Sequence, residues 1–195
     1  CIRDRYRTNS QSRALEDSFR RSSIPYNIVG GIRFYERKEI KDIIGYLSLI
    51  INTKDTISLR RVVNFPPRGI GLKTVDKCFE KAEKRKMELL DVLNEPDDMG
   101  IRGKQAEALR RFYGTIMKYN ELLPKLNAGE LVRTLLEEIG IKNHYSKNRT
   151  PDDNERYENV LEFLRGVDEF MLRNPDGGLR DFLEEISLLT DLDNW

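Results

Sequence analysis

Residues 65 to 76, FPPRGIGLKTVD, gather two prolines, an arginine, a Gly-Ile-Gly and a lysine immediately before a run of helical periodicity. A glycine pair can supply positive φ, at Gly71 for example, and lets another molecule approach the backbone closely. The helix that follows offers unpaired amide protons and a partial positive charge at its N-terminus, which together suit an anion. Arg68 and Lys73 add charge and Thr74 adds a hydroxyl. Val62, Val63 and Phe65 before the turn, with Val75 and Phe79 after it, are placed to pack two helices around it. Helix, glycine hairpin, helix is a device that grips a nucleic-acid phosphate without reading bases. A helix-to-helix turn that needs glycine for its geometry alone would use the same residues, and the spacing leaves both readings open. A second stretch, GIRGKQAEALR (100 to 110), echoes GIGLKTVDKCF (69 to 79) in its Gly-Ile start, nearby lysine and following amphipathic helix, with Arg102 and Lys104 as its cations.

Two further clusters carry polar chemistry. YRTNSQSR (6 to 13) supplies Arg7, Thr8, Asn9, Gln11 and Arg13 where a strand would meet a helix. Such an edge either binds ligand or is a helix cap with exposed arginines. GGIRFYERKEIKD (30 to 42) interleaves Arg33, Arg37, Lys38 and Lys41 with Phe34 and Tyr35, but Glu36, Glu39 and Asp42 dilute the charge, so it reads as a helix start with ion pairs.

Catalytic patterns are missing from the sequence. It contains no GxxxxGK[ST] to cradle a triphosphate, no HExxH, no CxxC and no GxSxG. The single histidine, His144, falls in KNHYSKN, which reads as a solvated polar loop, and the pairs Glu137-Glu138 and Glu184-Glu185 read as solvated helix faces. No catalytic residue and no metal site are expected in this chain.

The elements that must position these clusters are mostly helical. Residues 10 to 22 read as a short helix with Ala14, Leu15 and Phe19 inward, and IPYNIV (24 to 29) as a strand bounded by Gly30-Gly31. Ile40, Ile43, Ile44, Leu47 and Ile51 then fall on one helical face, and Leu59, Val62 and Val63 mark a short helix stopped by Pro66-Pro67. Further helices are signalled by Val75, Cys78, Phe79 and Ala82, and by Leu109, Phe112, Tyr113 and Ile116. Asn127 is the expected N-cap of 128 to 139 and Gly140 its stop. Pro151 opens a helix carried by Tyr157, Val160, Leu161, Leu164 and Met171, which NPDGG (174 to 178) breaks before a last helix with Leu179, Phe182, Leu183 and Ile186. The expected fold class is mainly α: a compact helical domain with a helix-hairpin-helix-like turn, plus a short α/β segment at the N-terminus.

Charge and composition narrow the function classes. Lys and Arg number 34 against 33 Asp and Glu in 195 residues, so any nucleic-acid affinity must come from local clusters rather than a global basic field. No apolar run approaches the length of a membrane span, no signal peptide is expected, and Cys1 and Cys78 make no disulfide framework, which fits a reducing cytoplasm.

In this order, the clusters resemble the bacterial superfamily 1 DNA helicases of the UvrD, PcrA and Rep type, over about residues 6 to 193. YRTNSQSRALE (6 to 16) is similar to their motif IV, and IPYNIVGGIRFYERKEIKDIIGYLSLI (24 to 50) to the segment that leaves the second RecA-like domain, 2A, for the inserted 2B domain. NFPPRGIGLKTVDK (64 to 77) resembles the 2B motif that contacts duplex, and ERYENVLEFL (155 to 164) the Arg-x-Glu-Asn-Leu segment, with Val160 where leucine is usual. CIRDR before Tyr6 departs from the family's apolar strand and reads as a truncated or engineered junction.

The resemblance implies that residues 1–31 are part of domain 2A, 32–190 the 2B domain and 191–195 the return toward 2A. It implies a parent that hydrolyses ATP with Mg2+ and moves 3′ to 5′ on DNA in the bacterial cytoplasm, while this segment, without Walker motifs, has no activity of its own. Arg68, Gly69, Ile70, Gly71, Lys73 and Thr74 would hold duplex phosphates, Arg7 and Asn9 the single strand, and Gly30 and Gly31 would be hinges. Repair or replication proteins are further expected partners, and the alternative reading is a helical interaction module that docks one of them.

Overall fold

In a computed structural model of the chain, residues 11–22, 24–26, 32–146 and 150–191 are described. Short polar signals set where its helices begin. Asp55 accepts hydrogen bonds from the amides of Ile57 (3.1 Å) and Ser58 (3.0 Å) and so starts α3, Thr56–Val62. Asn127 and Glu130 form a reciprocal capping box at the head of α7, Ala128–Glu138. Thr150 caps α9, Pro151–Arg173, with proline in its first turn as expected. The remaining helices are α1 (Ser12–Arg21), α2 (Lys38–Ile51), α4 (Leu72–Arg85), α5 (Leu89–Val92), α6 (Lys104–Leu122), α8 (Ile141–Ser146) and α10 (Leu179–Asp191), with 3-10 turns at Phe34–Glu36 and Pro96–Met99. Gly140, at φ +73°, stops α7 as expected.

The fold is mainly α, and among the described residues there is no strand. Ile24, Pro25 and Tyr26 are not extended into a sheet, while residues 27 to 29 of the expected strand, and Gly30 and Gly31, lie outside the described residues. His144, expected in a loop, sits in α8 with its ring 4.7 Å from that of Tyr145. The polar sequence hid a helix that Ile141 and Tyr145, four residues apart on one face, anchor by burial.

The chain divides into two units. One takes the described residues up to Ile43 and from Asn127 onward. Its core is built by Leu131, Val132 and Leu135 of α7 and Phe163, Val167 and Phe170 of α9, closed by Phe182 of α10 edge-on to Phe163 at 5.7 Å. The other runs from Ile44 to Leu126. Its core gathers Tyr46, Leu47 and Ile50 of α2, Leu59 and Val62 of α3, and Leu109, Phe112 and Ile116 of α6. Gly45 lets α2 and α3 cross closely, since a Cβ there would lie 2.9 Å from Val62.

One expectation about facing is reversed. In α1 the buried residues are Ser12, Arg13, Glu16 and Asp17, whereas Ala14 and Leu15 are exposed and Phe19 is half-buried. Apolar periodicity points the wrong way because the partners of this helix are charged and lie some 150 residues downstream, at Glu162 and Glu169.

Candidate nucleic-acid interface

Polar contacts frame the FPPRGIGLKTVD turn from beneath. The Oδ1 of Asn64 accepts from the amides of Arg68 (2.8 Å) and Ile70 (3.1 Å), pulling the chain into a loop behind the cis Phe65-Pro66 bond. Ile70 is buried and pins the loop to the core. Arg68 is placed differently from the expectation that it meets phosphate. Its guanidinium donates to the carbonyls of Phe65 (2.5 Å) and Pro66 (3.2 Å) and to the hydroxyl of Tyr46 (2.5 Å), and stacks 5.4 Å from the Phe112 ring. The same guanidinium reaches the carbonyls of Val62 and Val63 at the end of α3 (3.4 Å each), where a cation is favoured. Arg68 therefore braces the turn from inside.

Of the two glycines, Gly69 needs its freedom, with φ +77°. Gly71 does not: it lies in extended backbone at φ −78°, ψ 162°, as the N-cap of α4, so the positive φ expected there is found two residues earlier. No side chain caps α4, and among the described residues the amides of Leu72 and Lys73 have no acceptor. A Cβ built on Gly71 would meet nothing within 4 Å. Lys73 is exposed beside this helix start, while Thr74 is buried with its amide bonded to the Gly71 carbonyl at 3.0 Å. The outward surface of the turn is thus made by Gly69, Gly71, Leu72 (77% exposed) and Lys73; Arg68, Ile70 and Thr74 hold it from within.

The second Gly-Ile stretch repeats the arrangement. Gly100 takes φ +68°, Ile101 is buried, and Gly103, at φ +62°, is the N-cap of α6, again without a capping side chain. Arg102 and Lys104 are exposed. Gln105, in the first turn of α6, donates to the Gly69 carbonyl at 3.1 Å, which brings the two helix starts side by side. Asn64 carried a legible signal, since asparagine ahead of a proline turn commonly bonds local backbone. Tyr46 and Gln105 carried none.

Arg13 of the first of the other clusters, and Phe34, Tyr35 and Arg37 of the second, have become framework. Arg13 is 2 % exposed and bonds Glu162 (2.8 Å), Asp17 (3.0 Å) and both oxygens of Glu169 (3.0 and 3.1 Å). Burial alone would lower its pKa, but the bonds to Glu169 and Glu162 outweigh it and hold the guanidinium above its ordinary value. Phe34 and Tyr35 are buried, and Arg37 bonds Ser12 (2.6 Å) and Asn159 (2.9 Å), with Asn159 in turn donating to Glu39 at 2.6 Å. GGIRFYERKEIKD thus offers no exposed aromatic platform at Phe34 or Tyr35. Arg7 and Asn9 lie outside the described residues.

Burial pushes the Cys78 thiol up to about 11, which leaves it an inert core residue. Among the described residues no group of three or more His, Cys, Asp or Glu side chains is arranged to hold a metal ion, and no helix is long and apolar enough to cross a membrane.

Residues 6–194 match the family model of the UvrD-like helicase C-terminal domain. This chain belongs to that family. It is 36% identical over 190 residues to the ATP-dependent DNA helicase PcrA of Staphylococcus aureus, and 37% identical over 190 residues to that of Staphylococcus epidermidis. Each comparison covers 96% of this UvrD-like chain but 26% of the relative, so the chain spans about a quarter of the length of the helicases it matches.

Proposed function

We propose that this chain is the 2B region of an ATP-dependent 3′ to 5′ DNA helicase and contacts the backbone of duplex DNA ahead of the junction being unwound. Residues 32–190 would be 2B, residues 1–31 a part of domain 2A and 191–195 the return to it. The observation that carries the reading is the start of α4: open amides, no capping side chain, an exposed lysine, and a glycine at position 71 that neither φ nor crowding within the protein requires. Bare backbone at that point is what a phosphate needs for close approach. The neighbouring start of α6, tied to the first through Gln105, supplies a second such surface.

Gly69, Gly71 and Lys73 make the contact in this reading, with Arg68, Ile70 and Thr74 acting through the turn. Arg7 and Asn9 as single-strand contacts and Gly30 and Gly31 as hinges rest on the family resemblance. ATP and Mg2+ would serve the parent helicase, which would act in the bacterial cytoplasm with repair or replication proteins. Their phosphate-binding motif is not in this sequence, so no residue of this chain is assigned to them.

The test is a titration of the chain with a duplex carrying a single-stranded tail, a blunt duplex and a single strand, at low salt and again at raised salt. Binding that requires duplex, ignores sequence and weakens steeply with salt is expected. Equal, salt-insensitive binding to all three, or none to any, would sink the reading.

A further inference from the structure

Helix α1 is held by its polar face. Ser12, Arg13, Glu16 and Asp17 are between 1% and 3% exposed, while Leu15, on the far side, is 37% exposed. Among the described residues its anchors include ionic and hydrogen-bonded ones: Arg13 to Glu162 and Glu169 of α9, Ser12 to Arg37, Glu16 to the Phe34 amide at 3.1 Å, and Asp17 to the Tyr35 hydroxyl at 3.4 Å. The rest of the unit is different, because α7, α9 and α10 share an apolar core of aliphatic and phenyl side chains.

That contrast has an energetic consequence. Detaching an apolar helix exposes greasy surface, whereas detaching α1 would return charged groups to water that solvates them well. A buried ion pair also gains little net free energy over its hydrated parts, although removing one partner alone is strongly destabilising. The forked Arg13–Glu169 pair gives α1 a defined seat, and Glu162 and Asp17 complete the ring of carboxylates around the guanidinium.

We propose that α1 is a releasable clasp, locked onto α9 by the Arg13 ion cluster and able to open while the α7–α9–α10 core stays folded. Its place in the chain gives the opening a use. α1 follows Arg7 and Asn9 in the sequence, so release would change how the chain leading from them is anchored, a consequence that rests on the proposed function. The clasp itself does not rest on it.

Native-state hydrogen exchange tests the clasp without DNA, so its failure and that of the phosphate reading are distinguishable. In the unmodified chain, the amides of residues 16–21 should exchange at least about tenfold faster than the slowest amides of α9, through an opening that low urea barely changes. Arg13→Met leaves three carboxylates facing one another and should speed the α1 amides by about a hundredfold or more, while α9 stays within about threefold of its starting rates. Replacing the cluster as a set, with Arg13→Met, Asp17→Asn and Glu162→Met together, should restore the protection of α1. The proposal is overturned if α1 and α9 share one urea-dependent exchange isotherm in the unmodified chain. It is overturned equally if Arg13→Met strips α9 along with α1, or if the triple variant leaves α1 unprotected.

Discussion

Gly69→Ala and Gly71→Ala should separate the folding of the glycine turn from what it binds. Gly69 sits at φ +77°, where an alanine Cβ crowds the following carbonyl at a cost of about 1–2 kcal/mol. For a chain of this length that is a fall in melting temperature of about 2–8 °C. Gly71 sits at φ −78° with nothing within 4 Å of an added Cβ. There, alanine is a poorer N-cap than glycine by some tenths of a kcal/mol, and it recovers about 0.4–1 kcal/mol by stiffening the unfolded chain. The two terms nearly cancel, so the melting temperature should hardly move. Duplex affinity is another matter, because on the proposed reading the Cβ would stand where a phosphate approaches the open amides of α4. Losing one charge-assisted amide-to-phosphate bond, at about 1.5–3 kcal/mol, weakens binding by about ten- to a hundredfold. Thermal melts followed by circular dichroism, with fluorescence anisotropy of a labelled duplex at fixed low salt, read both quantities. Wild-type affinity in a fully folded Gly71→Ala variant would refute the assignment of this backbone as the contact.

Arg68→Met should cost about 2–3 kcal/mol in urea melts, since the carbonyls of Phe65 and Pro66 and the hydroxyl of Tyr46 lose a charged donor; the salt slope of duplex binding should stay unchanged, and a shallower slope would return Arg68 to the phosphate. Lys73→Ala should weaken binding alike across duplex sequences and make the salt slope less negative by about 0.9, and a loss confined to some sequences would contradict a backbone contact. The bond from Arg13 holds the Glu169 carboxyl below its ordinary range, so its contribution to stability is complete above that range and is lost as pH falls through the depressed folded value. The stability gap between wild type and Glu169→Gln should therefore shrink on acidification, and a gap constant from neutral to strongly acid pH would refute the ion pairing.

Helices with an apolar stripe or a capping signal were legible in the sequence. Asn127 with Glu130, Pro151 behind Thr150, and the Leu109–Phe112–Ile116 face each carry their own local cause. Buried charge was not legible. Arg13 looks like a surface arginine until Glu162 and Glu169 are brought to it from the far end of the chain, and Arg68 looks like a phosphate donor until the carbonyls of its own turn surround it. Periodicity reports where apolar residues lie, and so it inverted α1, whose seat is ionic. The turn was found because glycine and proline are local signals, and its inner frame was missed because Tyr46 and Gln105 come from elsewhere in the sequence.

The chemistry of the proposed interface follows from what is left facing outward. With 34 basic against 33 acidic residues, the chain has no general field to draw in a polyanion, and turning Arg68 inward removes one more cation from the contact. What remains are aimed groups: two uncapped helix starts, with Lys73 beside one and Arg102 and Lys104 beside the other. Aimed groups bind well only if they are already held in place, because ordering them on contact would consume much of the gain. Asn64, Ile70 and Arg68 fix the first turn from below, and the Gln105 bond to the Gly69 carbonyl fixes the second against it. A phosphate backbone with repeating charge at a regular spacing suits two rigid donors better than one flexible arm. On this argument, cutting the link with Gln105→Ala should weaken duplex binding by loosening the second helix start from the first.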